Sequence, residues 1–468
     1  ETRLGIPVLY GIDAVHGHNY LKEATLFPHQ LALAATWNPD LVREAAHVTA
    51  TETRATGVPW NFAPVLDVGR QPLWSRFFET FGEDPYLVTK MGVAAVEGMQ
   101  GDDLAAPDRV AATLKHYVGY SLPFTGKDRT PAYIPERLLR EIFLPPFREA
   151  IASGAASIMI NSGEINGVPV HVSRYLLTDV LRDELGFEGV AVTDWEDIKK
   201  LVSVHRVAAT EKEAVRMAVM AGVDMSMVPY STDFAEYVVE LVREGAIPEA
   251  RVDEAVRRIL RMKMALGLFE NAYPDTSLAS RVGSEEHRAL SLKAAREAIT
   301  LLENDGVLPL AKDARILLTG PGADWLPPLY GSWSYTWQGT ETGVYPPSAR
   351  TFLQALRAAG ADRVTHVPGT DLYAEVDIPA AVAAAEDVDA VVVALAEKPS
   401  VEVPGSIEDL DLPAVQTRLV RALAATGKPV ILVMLFNRPR VVRAAVEAAD
   451  AVLMAYHPGP FGGQAIAE

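Results

Sequence analysis

Short apolar runs recur along the whole chain, separated by polar loops and amphipathic helical stretches. This alternation constrains the fold more than any other feature. In the first block the runs are Pro7–Gly11, Asn61–Val65, Val110–Leu114, Ser157–Ile160, Gly189–Thr193 and Gly222–Met227, with helix-like segments such as Leu41–Thr56 and Glu211–Ala221 between them. Strand, helix and strand repeated in this way predict a parallel sheet covered by helices. Over residues 1–272 the pattern fits a TIM-like (β/α)8-type barrel, whose active site is built from the loops that follow the strands.

The spacing predicts a further helix over Glu249–Leu266, with Pro248 at its start and Gly267 at its end. Val252, Val256, Ile259 and Leu260 form its apolar face. A stretch with Pro274, Ser277, Ser280 and Gly283 opens an expected linker over 273–312. The apolar runs then resume at Arg315–Thr319, Ala390–Leu395, Pro429–Met434 and Ala449–Ala455, separated by helices such as Ile378–Ala385 and Pro413–Ala425. Runs apolar throughout their middle are strands covered on both faces. Residues 313–468 are therefore expected to form a doubly wound α/β sandwich domain. No GxGxxG or GxxxxGK[ST] sequence occurs in either block, so a nucleotide site has no motif behind it.

Composition narrows the function. The 43 basic and 61 acidic residues leave a net charge of −18. Such a surface repels phosphate backbones and anionic membranes, so neither nucleic acid nor membrane is an expected partner. The absence of cysteine excludes disulfides, thiolate metal sites and cysteine nucleophiles.

Four segments carry chemistry. The run Gly189–Thr193 leads into Asp194-Trp195-Glu196-Asp197. A carboxylate where a barrel strand ends faces the active-site mouth and can attack a carbon centre, although Asp after a strand is also a common helix N-cap. Lys115-His116 again ends an apolar run and can donate several hydrogen bonds to hydroxyls. The segment Leu73–Pro85 mixes Trp74, Arg76, Phe77, Phe78, Glu79, Glu83 and Asp84, which suits a sugar site or a structural ion-pair network. Asp13 follows Val8-Leu9-Tyr10, with His16 and His18 close behind. Two histidines without a third ligand in a recognised pattern do not predict a metal, and no cofactor is expected.

Taken together, GIDAVHGHN (11–19), NFAPVLDVGRQPLWSRFFETFGEDPYL (61–87), LKHYVGY (114–120), TGKDRT (125–130), LREIFLPPF (139–147), VTDWEDI (192–198), AGVDMSM (221–227), GKPVILVMLFNRP (427–439) and HPGPFGGQAIAE (457–468) resemble glycoside hydrolase family 3, the β-glucosidase and exo-β-glucanase family. The resemblance implies Asp194 as catalytic nucleophile. It implies Asp13, Arg76, Lys115 and His116 as ligands of the nonreducing-end sugar in subsite −1, with Asp67 supporting that pocket. Trp195 and Trp333 match aromatics that clamp the next sugar at subsite +1, which implies an interdomain cleft. The acid/base of this branch is a Glu on the second domain; Glu397 matches it first and Glu402 second.

Where the family usually has a Tyr next to the nucleophile, this chain has Ser162 in Met159-Ile-Asn-Ser-Gly-Glu164. Glu164 is then expected to take over some of the pocket contact. A first βα segment before GIDAVHG and further strands after GGQAIAE are expected in the family and are not in this sequence. The implied activity is retaining, exo-acting hydrolysis of nonreducing-end β-D-glucosyl residues from β-glucosides or β-gluco-oligosaccharides, in the periplasm or outside the cell. β-Xylosidase and β-N-acetylglucosaminidase are the alternatives within the family, though KHYVGYSLP argues against the second. A non-catalytic carbohydrate-binding relic would be expected to have lost Asp194 or Glu397, and both are present.

Overall fold

The computed structural model describes residues 3–360 and 363–468. The chain divides into two compact units: Glu1–Val15, Pro39–Gln71 and Thr80–Val282 form the first, and His16–Asn38, Pro72–Glu79 and Gly283–Glu468 the second. Among the described residues no helix is long and apolar enough to cross a membrane.

The first unit is a barrel-type α/β layer. Strands β1 (Gly11–Ile12), β2 (Trp60–Asn61), β3 (Ala111–Tyr117), β4 (Ser157–Ile160) and β5 (Val190–Val192) pair in chain order, all parallel. A parallel bridge from Val192 to Met225 adds a sixth position beside β5. Helices Pro39–Ala55, Pro85–Gln100, Leu144–Ala152 and Glu211–Ala221 lie between these positions. Successive strands that neighbour one another, joined by helices, are the barrel's repeating unit.

The helix expected at 249–266 is present as Glu249–Ala265, and Gly267 takes a left-handed φ of +67° just past its end. Its buried stripe is the expected one only in part: Ile259 packs against the core of the unit. Ala255 and Met262 are buried, whereas Val256 is exposed. Arg251 and Arg258 face inward because the buried Asp224 carboxylate accepts a bond of 2.9 Å from each. Arg182 donates a third at 2.7 Å, and Asp224 also accepts from the Ala191 amide at 3.1 Å. The inner face of this helix thus carries arginines bonded to one buried anion beside Met262 and Ile259 packed on the core.

The second unit is an open sheet. Its strands are β6 (Thr300–Asn304), β7 (Ile316–Thr319), β8 (Val364–His366), β9 (Ala390–Ala396), β10 (Val430–Leu435) and β11 (Ala451–Met454). The spatial order is β8-β7-β9-β10-β11-β6, parallel except for the antiparallel β11–β6 pair. Along β9, Ala390, Val392, Ala394 and Ala396 pack on one side, and Val391, Val393 and Leu395 on the other. The period of two assigns alternate residues to two separate cores, so every position must be apolar. The chain winds outward from β7 to β8 and then returns to β9 on the other side of β7. The carboxyl ends of β7 and β9 therefore flank a topological switch point. Gly320 follows β7 there, at a φ of +89°, where a Cβ would stand 2.7 Å from the Ala394 carbonyl oxygen. The stretch 273–312 carries the helix Glu285–Ala298 and strand β6.

Candidate active site

In the first unit, the loops after β3, β4 and β5 meet at Asp194. The side chain of Asp194 does not cap the following helix: Asp197–Ser203 is preceded by Glu196, and the Oδ1 of Asp194 accepts from the Trp195 amide at 2.5 Å. The N-cap reading of this aspartate therefore does not apply. Its Oδ2 lies 2.8 Å from Ser162 Oγ, 3.6 Å from Arg129 Nη2 and 4.0 Å from His116 Nε2. Asp194 is 7% exposed, enough for one face to be reached.

Beside it, Lys115 Nζ donates to Asp13 Oδ1 at 2.7 Å, with the lysine buried and Asp13 partly open. Asp67 Oδ2 accepts from the His116 amide at 3.0 Å and lies 2.8 Å from its Nδ1, so it fixes the ring that points Nε2 toward Asp194. A carboxylate on one imidazole nitrogen sets the role of the other. Trp195 is 44% exposed and meets Tyr230 edge to face, with ring centroids 5.8 Å apart. Glu164 Oε1 lies 2.6 Å from Nδ1 of His205.

Sequence reasoning missed Arg129 and Asp197. Arg129 Nη1 donates to Ser162 Oγ at 2.7 Å and to Asp197 Oδ1 at 3.2 Å. Asp197, 1% exposed, also accepts from Lys200 Nζ at 2.8 Å and has its Oδ2 2.6 Å from Ser162 Oγ. The available signals were the Arg of TGKDRT and a second Asp one helical turn after the first. His171 Nε2 stands 3.6 Å from Asp197 Oδ2. Burial pulls the His171 pKa down to about 4 against the opposing pull of Asp197 and Asp194, so this ring is neutral at neutral pH.

The second unit holds Arg76, Trp333, Glu397 and Glu402. Arg76 forks onto Glu79 through Nη2 at 2.8 Å and Nε at 3.2 Å, and both are buried. Trp333 Nε1 donates to Glu79 Oε1 at 3.0 Å. The Trp333 backbone is held by His16, whose Nε2 lies 3.1 Å from its carbonyl oxygen while Nδ1 lies 2.8 Å from the Phe27 carbonyl. Glu83 and Asp84 are not part of this cluster: Asp84 caps the helix Pro85–Gln100.

Glu397 follows β9 at the switch point. Its Oε2 accepts from the Asn437 amide at 3.2 Å, and its Oε1 faces Arg438 Nε at 3.3 Å and Arg440 Nη1 at 3.4 Å. Glu402 Oε1 lies 3.4 Å from Arg76 Nη1, on a residue with a left-handed φ of +56°. The loop bearing it is pinned by Gln338, which exchanges bonds of 3.0 and 3.2 Å with the Val401 backbone. Arg438 also ties it down, donating to the Gly405 and Leu73 carbonyls.

The chain is similar to proteins of known activity and structure. A lysosomal beta glucosidase of Dictyostelium discoideum is 48% identical over 99% of this chain and 59% of its own. A beta-xylosidase of Formosa agariphila is 36% identical over 100% of this chain and 67% of its own. The solved beta-glucosidase from Listeria innocua superposes with a TM-score of 0.91 at 33% identity, covering 99% of this chain and 63% of that one. Structures of that protein hold glucose and laminaribiose. This chain thus spans about three fifths to two thirds of the length of the proteins it matches. The family models for the glycosyl hydrolase family 3 N terminal and C-terminal domains match residues 1–262 and 299–468, and the chain belongs to that family.

Proposed function

We propose that this chain carries the catalytic part of a retaining, exo-acting β-glucosidase that removes nonreducing-end β-D-glucosyl residues from β-glucosides or β-gluco-oligosaccharides. Its catalytic domain is the barrel-type first unit, and the sandwich-type second unit takes in the helix Glu285–Ala298 and strand β6 of the expected linker. The observation that carries the reading is Asp194 at the end of β5, with Ser162, Arg129 and His116 arrayed about its Oδ2. Asp194 attacks the anomeric carbon and an acid protonates the leaving oxygen. Water, deprotonated by the same group, then releases the sugar with retained configuration. Asp13, Lys115, His116 and Arg76 are proposed to bind the hydroxyls of the glucosyl unit that Asp194 attacks, and Trp195 and Trp333 to take the ring beyond the cleaved bond.

For the acid/base, Glu397 is the first candidate and Glu402 the second. Glu397 Oε2 accepts from the Asn437 amide and its Oε1 faces Arg438 and Arg440, while Glu402 Oε1 lies 3.4 Å from Arg76 Nη1. Loss of the acid/base is expected to stop hydrolysis of cellobiose while sparing glycosylation by a dinitrophenyl glucoside, whose leaving group needs no proton. Glu397→Gln is expected to show that pattern; the same pattern in Glu402→Gln alone would move the role to Glu402.

The assay is release of nitrophenol from a nitrophenyl β-D-glucoside. Turnover by the parent, loss in Asp194→Ala, and azide rescue to the α-glucosyl azide are expected; turnover that survives the substitution would sink the assignment. The 48% identity to a lysosomal beta glucosidase supports glucoside as substrate and a site of action outside the cytoplasm, and faster release from a nitrophenyl xyloside would favour the xylosidase reading.

A further inference from the structure

Ser162 has one hydroxyl hydrogen and two carboxylates within reach. Its Oγ is 2.8 Å from Asp194 Oδ2 and 2.6 Å from Asp197 Oδ2, and it accepts from Arg129 Nη1 at 2.7 Å. A hydroxyl donates once, so it serves one carboxylate at a time. Arg129 is shared in the same way, with Asp197 Oδ1 at 3.2 Å from Nη1 and Asp194 Oδ2 at 3.6 Å from Nη2. Asp197 is further held by Lys200 at 2.8 Å and has no room to move away, being 1% exposed.

We infer that Asp197 is a positioning residue that competes with Asp194 for the Ser162 hydroxyl and the Arg129 guanidinium, and so balances the two steps of the reaction. The inference rests on the reading of Asp194 as nucleophile. In the first step a bond forms from a carboxylate oxygen of Asp194 to the anomeric carbon, the bond to the leaving oxygen breaks, and that oxygen takes the proton of the acid. Asp194 loses its charge and becomes a poor acceptor. The Ser162 hydrogen then turns to Asp197 Oδ2 without displacement of any heavy atom. In the second step water bonds to the anomeric carbon and gives its proton to the base. The ester bond breaks and Asp194 leaves as a carboxylate, and the hydroxyl turns back to receive the charge. Without Asp197 both donors would stay on Asp194, which would blunt its attack and ease its departure.

Asp197→Asn keeps the shape but donates to Ser162 Oγ, committing the hydroxyl hydrogen to Asp194. Ser162→Ala removes the hydroxyl altogether. Quenched-flow kinetics with a dinitrophenyl β-glucoside separates glycosylation from deglycosylation. Asp197→Asn is expected to slow glycosylation about tenfold, the worth of one charge-assisted hydrogen bond, and to leave deglycosylation equal or faster. Ser162→Ala is expected to shift the ratio the other way and to accumulate glycosyl-enzyme. Equal slowing of both steps in both variants, or no change in either ratio, would overturn the inference alone. A parent that forms no glycosyl-enzyme would overturn the reading of Asp194 and this inference with it. Should Asp197→Asn fail to fold, Ser162→Ala decides by itself, since a purely structural hydroxyl would not change the ratio of the two steps.

Discussion

Two buried aspartates serve strand β5, one bonded to the amide of its middle residue and one just past its carboxyl end, and they are treated in opposite ways. Asp224 bonds the Ala191 amide and takes three guanidinium groups, from Arg182, Arg251 and Arg258, each from a different turn of the surrounding helices. Its side chain is fully buried and every contact is short. Asp194, just past the carboxyl end, accepts from the Trp195 amide at 2.5 Å and from a hydroxyl at 2.8 Å that is shared with a second carboxylate, and has the Arg129 guanidinium at 3.6 Å. The first arrangement has nowhere to go and holds helices to the sheet. The second shares its hydroxyl and its guanidinium with a neighbouring carboxylate, which suits the proposed role of a nucleophile that must give up its charge. In a barrel the amino-terminal side of the strands carries stability and the carboxyl-terminal side carries chemistry.

The contrast can be broken most deeply at Asp194. Asp194→Ala is expected to lower kcat by roughly 10^4-fold or more while leaving the melting temperature close to that of the parent. Asp224→Ala is expected to do the reverse. It strands three buried cations and costs about 3–5 kcal/mol of folding free energy, read by urea denaturation, with activity per folded molecule retained. Acid sharpens the comparison next, because His171 lies at the Asp194 end. Its folded pKa of about 4 is below the unfolded value of 6.5. The unfolded chain therefore binds the extra proton first as pH falls. The stability from the neutral ring is whole above about pH 6.5 and is lost progressively toward pH 4, by up to about 3 kcal/mol. His171→Gln should flatten urea midpoints measured across that window. The smallest effect is expected from Arg258→Met, at about 1–2 kcal/mol, because Arg182 and Arg251 still satisfy Asp224.

The legible parts of the molecule were those where one physical demand acts alone. Strand β9 could be read because both its faces are covered and every residue from Ala390 to Ala396 must be apolar. Strand β6 could not, because Leu301 and Leu302 are exposed at the edge of the sheet and give no buried period. The inner face of the helix Glu249–Ala265 is legible only in part, because apolarity marks Ile259 but not Arg251 and Arg258, which bond Asp224 on that side. At the site, Asp194, Lys115, His116 and Asp13 stood out at strand ends, where position along the chain is itself the signal. Arg129 and Asp197 did not. Arg129 reaches Ser162 across 33 residues and Asp197 across 68, contacts that no local pattern encodes.

The central claim is that Asp194 forms the covalent bond. Incubation with a 2-deoxy-2-fluoro-β-glucosyl inactivator, proteolysis and mass spectrometry test it most directly. The account predicts a fluoroglucosyl label on the peptide that carries Asp194, lost in Asp194→Asn. A label on any other carboxylate would contradict it.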